Sequence, residues 1–168
     1  MPEEKAPFFF DTVSISNFAL ADCLDLIARR YGKRTLLTSE VMDEIEEGLV
    51  QGYTELRRVD RLVQEGRFRT TALSLEERRL YMAMLQNLGS GEASAIACAK
   101  HRDGVVVTDD RAARSSCQEH EVRFTGTIGI LKACCAASMT TPEEADDLLA
   151  TMVKRGFYSP VRRISEIL

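Results

Sequence analysis

The chain has 168 residues with 22 Lys and Arg against 26 Asp and Glu, and is 45% hydrophobic and 29% charged. That is the make-up of an ordinary globular domain, and its mild acidity excludes a global electrostatic footprint for nucleic acid, so any such contact has to be local. No apolar run approaches the roughly 20 residues of a membrane helix, and MPEEKAPFFF has acids where a signal peptide has a basic segment; a cytoplasmic protein with no membrane association is expected.

The five cysteines, Cys23, Cys98, Cys117, Cys134 and Cys135, show no CxxC or Cys/His spacing and sit in apolar helical patterns beside alanines. They are expected to be buried thiols, not zinc ligands or disulfides.

In chain order, PFFF at 7–10 is a short strand without alternation, as suits one buried on both faces, and it ends at Asp11. Asn17 is placed to cap a helix through Tyr31, stopped by Gly32, and RTLL at 34–37 is a second strand. Thr38 or Ser39 caps a helix with Val41, Met42 and Ile45 inward, ended by Gly48. A helix over 54–65 and a short strand RFRT at 67–70 follow. Ser74 with Glu76 and Glu77 opens LEERRLYMAMLQNLG, closed by Gly89, and Gly91 and Glu92 open the alanine-rich helix ASAIACAK. GVVVT at 104–108 is the clearest strand; Asp109 or Asp110 caps the helix after it. VRFTG at 122–126 is the last strand, before the helix TIGILKACCAAS, and TTPEEADDLLATMVKRG is a helix capped by Thr141 with Pro142 at its first position. Short strands alternating with helices predict an α/β, three-layer fold with a mostly parallel sheet of about four or five strands.

In such a sheet, ligands bind beyond the carboxyl ends of the strands. Asp11 ends the first strand and Asp109 and Asp110 end the VVV strand, while Glu44 and Glu92 lie on helices able to reach the same edge. Four or five carboxylates without a basic companion are tolerable together when a hard divalent cation neutralises them, and Mg²⁺ or Mn²⁺ suits the set. Each acid also has an ordinary use: Asp109 and Asp110 as a helix cap with a first-turn acid, Glu92 at a helix start, Glu44 on a solvated face. Asp11, directly after FFF, is the hardest to explain that way. A phosphotransfer protein using Asp11 as nucleophile fits less well, because the dehalogenase-like loop wants a second Asp where Val13 stands.

FFFDTVSISNF, LLTSEVMDEI and LGSGEASAIACAKHRDGVVVTDDRAAR together resemble the PIN-domain proteins, a family of metal-dependent ribonucleases that includes VapC-type toxins, and most closely a branch with a GEA…AI helix and a double Asp, which TGTIGIL also follows. The resemblance covers roughly residues 7 to 135. It implies catalytic acids at Asp11, Glu44, Glu92 and Asp110, and metal ligation by Asp11, Glu92 and Asp110, with Asp109 as neighbour or alternative ligand. Thr12 and Thr108 would support the site through their hydroxyls. Glu40 and Asp43 compete with Glu44 for the second place, and Asp43 is the alternative; between the two aspartates, Asp110 is taken as ligand and Asp109 as cap.

The implied activity is divalent-metal-dependent endoribonuclease action on single-stranded RNA, as the toxin of a toxin-antitoxin pair with an antitoxin protein as partner. A catalytically silent module binding RNA or a protein is the alternative. Arg111, Arg114 and Lys100 are candidate RNA contacts, with His101, Arg102, Arg67 and Arg69 in reserve. The expected domains are a nuclease domain over 1–140 and a helical extension over 141–168 packed on it, in a homodimer.

Overall fold

The computed structural model describes residues 5–168, so the leading Glu3 and Glu4 of the signal-peptide argument lie outside the described residues. Phe8–Phe10 form β1. Successive strand side chains point to opposite faces, and Phe9 and Phe10 are fully buried in two separate apolar clusters, so β1 is covered on both sides.

Four more strands flank it: β2 (Thr35–Thr38), β3 (Arg69–Thr71), β4 (Val105–Val107) and β5 (Arg123–Thr125). They pair in the order β3-β2-β1-β4-β5, all parallel. On the face of Phe10 lie α1 (Thr12–Leu20), α2 (Leu24–Arg30), α3 (Ser39–Val50), α4 (Arg57–Gln64), α8 (Thr127–Ala136) and α9 (Pro142–Lys154). On the face of Phe9 lie α5 (Leu75–Met84), α6 (Ser90–Arg102) and α7 (Arg111–Glu119). The three-layer α/β expectation holds. Consecutive strands run outward from β1 to β2 and β3, and then from β4 to β5 on its other side, so the order reverses between β1 and β4.

Several boundaries differ from the sequence reading. Asp11, not Asn17, caps the first helix, its Oδ1 accepting from Ser14 N at 2.8 Å. Asn17 is buried inside α1, and the helix breaks before Tyr31 because Asp22 turns into the left-handed region with φ 54°. Helix α3 runs past Gly48 to Val50; a β-carbon at Gly48 would stand 2.5 Å from Leu56 Cδ1, so the glycine serves close packing and ends nothing. Strand β3 is shifted to 69–71, since Phe68 is drawn into the core and its N–H bonds Leu62 O. Helix α5 ends at Met84, short of Gly89, which instead caps α6.

Other signals hold: Thr38 caps α3 by accepting from Val41 N, Ser74 and Glu77 form a capping box on α5, and Thr141 with Glu144 does the same on α9, with Pro142 first. Helix α9 buries Ala145, Leu149 and Met152, and the tail buries Ile164, all in the Phe10-side cluster. The five cysteines are free, four of them buried, and burial pushes the Cys23, Cys98 and Cys117 thiols up to about 12, so they act as inert core side chains. Among the described residues no helix is long and apolar enough to cross a membrane.

Candidate functional site

The reversal between β1 and β4 opens a crevice at their carboxyl ends, where loops of the two strands lie side by side. The Asp11 backbone N–H donates to Val107 O at 3.0 Å, which fixes the end of β1 against the end of β4. The Asp11 side chain, 1% exposed, therefore lies beside Thr108 and Asp109. Burial pushes its carboxyl up to about 6; the Thr108 hydroxyl and the Ser14 N–H pull it back, and Asp109 adds repulsion.

Helix α3 brings in Glu44, half-buried, whose Oε1 accepts from Thr12 Oγ1 at 2.8 Å. Asp43 is exposed on the same helix and Glu40 is half-buried, with a buried Oε1 that has no partner. Gly91 lies against this pair: a β-carbon there would stand 2.1 Å from Glu44 Oε1 and 2.8 Å from Thr12 Oγ1. The next residue, Glu92, reaches back to Gly89 N with Oε2 at 3.3 Å. Burial, then the charges of Asp110 and Asp11 and lastly that of Glu44, push the Glu92 carboxyl up to about 7, against the Gly89 N–H. Asp11, Glu44, Glu92 and Asp110 thus share one electrostatic neighbourhood.

Of the two aspartates of TDD, the structure gives the cap to Asp110 and not to Asp109. Asp110 is the cap of α7, Oδ2 accepting from Ala113 N at 2.8 Å, and its own N–H donates to Thr108 Oγ1 at 3.2 Å. Asp109 turns to the start of α8, where Oδ1 accepts from Thr127 N at 3.0 Å and Oδ2 from the Thr127 hydroxyl, with Arg114 Nη2 3.7 Å away. The buried Thr127 hydroxyl in turn accepts from Asn17 Nδ2 at 3.1 Å. Both Asp109 oxygens are engaged, whereas Asp110 faces solvent at the mouth of the crevice.

The cationic residues expected at the rim fall differently. Arg111 is exposed beside Asp110. Arg114, half-buried, is tied to the protein itself, donating to Thr108 O at 2.9 Å and lying over Phe124. Lys100 donates to His120 O at 2.7 Å, at the end of α7. Sequence reasoning missed Gly91, Asn17, Thr127 and the fully buried Ser14, whose Oγ has no hydrogen-bond partner; a Gly directly before Glu92 was the one visible hint.

The donor set is carboxylate and hydroxyl oxygen, and no Lys or Arg is among the groups acting on Asp11 or Glu92. In donor chemistry this fits a hard divalent cation. The carboxylates rest on helix ends and hydroxyls, and among the described residues no three His, Cys, Asp or Glu side chains stand close enough to hold one ion.

The fold is thus an all-parallel α/β sheet with four carboxylates beside its switch point. A family model described as a PIN domain matches residues 7–168, and the chain belongs to the PIN-domain family. The match runs beyond the 7–135 of the resemblance, through α9 and the tail. PIN domains are generally nucleases and typically use divalent metals. No curated protein matches the chain.

Proposed function

We propose that the protein is a Mg²⁺- or Mn²⁺-dependent endoribonuclease acting on single-stranded RNA. The observation that carries this is the buried Asp11 carboxylate at the switch point, with Asp110, Asp11 and Glu44 all acting on Glu92 and no Lys or Arg among the groups acting on Asp11 or Glu92. Asp11, Glu92 and Asp110 are the acids that would hold the ion, with Glu44 beside them, and binding would have to draw their side chains closer together than they stand. When bound, such an ion polarises a phosphodiester and lowers the pKa of an attacking water.

The chain's own residues prepare that chemistry. Ser14 N–H and the Thr108 hydroxyl favour the ionised form of Asp11. Thr12 fixes Glu44 through Oε1, which leaves the second oxygen for the ion or for a proton taken from water. Asn17, Thr127 and Asp109 tie α1 and the start of α8 to the loop after β4, which continues into Asp110. Arg111 is the exposed cation available to a substrate phosphate at the mouth. The toxin role and its antitoxin belong to the same proposal and rest on the resemblance alone.

The test is incubation of labelled single-stranded RNA with the protein in Mn²⁺, in EDTA, and as Asp11→Asn. Cleavage in Mn²⁺ only, and only by the natural sequence, is expected. Equal cleavage in all three overturns the proposal, and RNA binding without cleavage in metal favours a silent binding module.

A further inference from the structure

On the opposite edge of the sheet, at the amino ends of the strands, is a cavity of about 780 Å³. Among the described residues its walls carry six cations, Lys5, Lys33, Arg34, Arg69, Arg102 and Arg123, and one acid, Asp103. The chain as a whole has a net charge of −4, so this is a local reversal of sign. Arg102 is answered by Glu77, with Nη2 to Oε1 at 2.7 Å and Nε to Oε2 at 2.7 Å. Arg123 meets Asp103 at 3.3 Å, a pair 58% and 98% exposed, which neutralises little. Arg34 has no carboxylate: it donates to Ala6 O and Arg30 O and lies over Phe8 and Tyr31. Lys33 and Arg69 are exposed, and their side chains make no hydrogen bond or ion pair among the described residues.

The cations run from Arg69 at the first residue of β3 to Arg123 at the first of β5, which is the whole width of the sheet. Five strands at ~4.8 Å spacing make that row ~19 Å long. The space of about 780 Å³ is lined along that whole row, so it is elongated and open to an extended strand. The remaining lining is Ala6, Pro7 and Leu36, with no aromatic ring for a base to stack on. A ligand here is read by its phosphates.

We infer that the amino edge of the sheet is a second RNA-binding surface, a sequence-independent groove gripping the backbone of a single strand, separate from the acid crevice. The inference rests on the nuclease reading only for the identity of the polyanion. An extended row of charges suits a strand better than a compact polyphosphate, which could meet two or three of the cations at once.

The test uses the full chain in EDTA, where cleavage is off, and a labelled single-stranded 12-mer RNA followed by fluorescence anisotropy. Lys33→Gln with Arg69→Gln should weaken binding at least ~10-fold at 0.1 M salt and flatten the log–log salt slope by ~1.4, the value for two lost phosphate contacts on a single strand. A second variant, Lys33→Glu with Arg69→Glu, should weaken it further, and matching circular dichroism melts show that both remain folded. Unchanged affinity and slope overturn the inference. So does inorganic tripolyphosphate binding as tightly as the 12-mer, which assigns the groove to small polyanions, or poly-glutamate binding more tightly, which assigns it to an acidic protein. Loss of binding in the variants, with no cleavage by the natural chain in Mn²⁺, would leave the groove standing and remove the nuclease reading; cleavage with unaltered binding in the variants would do the reverse.

Discussion

Replacing Asp11 by Asn should make the metal-free protein more stable. The carboxyl is 1% exposed, and its folded value of about 6 lies above the 3.8 of an unperturbed aspartate. A group raised in this way burdens the fold where it must ionise: nothing is lost below about pH 3.8, the burden grows between there and about 6, and it is complete above. Two units at ~1.4 kcal/mol each make ~3 kcal/mol at neutral pH. Asn keeps the cap on Ser14 N, because its side-chain oxygen accepts equally well. Its amide lacks an assured acceptor at this depth, which returns ~1 kcal/mol and leaves a net gain of ~2 kcal/mol. For a domain of this size that is a rise in melting temperature of ~4–8 °C. Thermal melts by circular dichroism in EDTA at pH 7.5 and pH 3.5 read this directly. The gain should be present at the first and absent at the second. Addition of Mn²⁺ at 100 times its dissociation constant should return ~2.7 kcal/mol to the natural protein and little to the variant. A variant that melts at or below the natural chain at pH 7.5, or keeps the same advantage at pH 3.5, would refute the reasoning.

Gly91→Ala should cut nuclease activity at least ~10-fold although Gly-to-Ala in a helix ordinarily stabilises by ~0.4–1 kcal/mol, because the new methyl would occupy the place of Glu44 Oε1; Mn²⁺ titration calorimetry and a melt on the same sample check both signs. Asp110→Asn should weaken Mn²⁺ binding more than Glu46→Gln, since Glu46 is exposed on the outer face of α3, and equal affinities would refute the assigned pocket. Burial acts to raise the Glu77 carboxyl, but the hydrogen bonds from Arg102 and Ser74 N–H outweigh it and hold it below the ordinary value of 4.5. Its stabilisation is therefore present above about 4.5 and lost as pH falls through the lower folded value. Urea unfolding should show the natural chain losing more stability on acidification than Glu77→Gln does.

The elements legible in the sequence were those whose signal is local. FFF and VVV read as buried strands because their side chains need cover on both faces, and the Thr38, Ser74 and Thr141 caps read correctly because a hydroxyl and an N–H three residues apart meet without help from elsewhere. Asp11 stood out for the same reason, as a charge with no route to solvent. What failed depends on distant partners. Strand β3 is exposed along most of its length, so its alternation carries no signal and its register is set by Phe68 and β2. The break near Asp22 lacks a glycine to announce it. The two aspartates of TDD are chemically alike, and what separates them is Thr127, 18 residues further on.

The Asn17–Thr127–Asp109 chain has a temporal consequence. All four acids have been joined to the chain once residue 110 is made, yet the brace on the loop that carries Asp109 and Asp110 needs Thr127, and α8 needs β5 before it. A nascent or truncated chain ending before Thr127 carries every acid of the site without the frame that aligns them. The framing of the four acids is thus deferred to a late stage of synthesis by the order of elements along the chain.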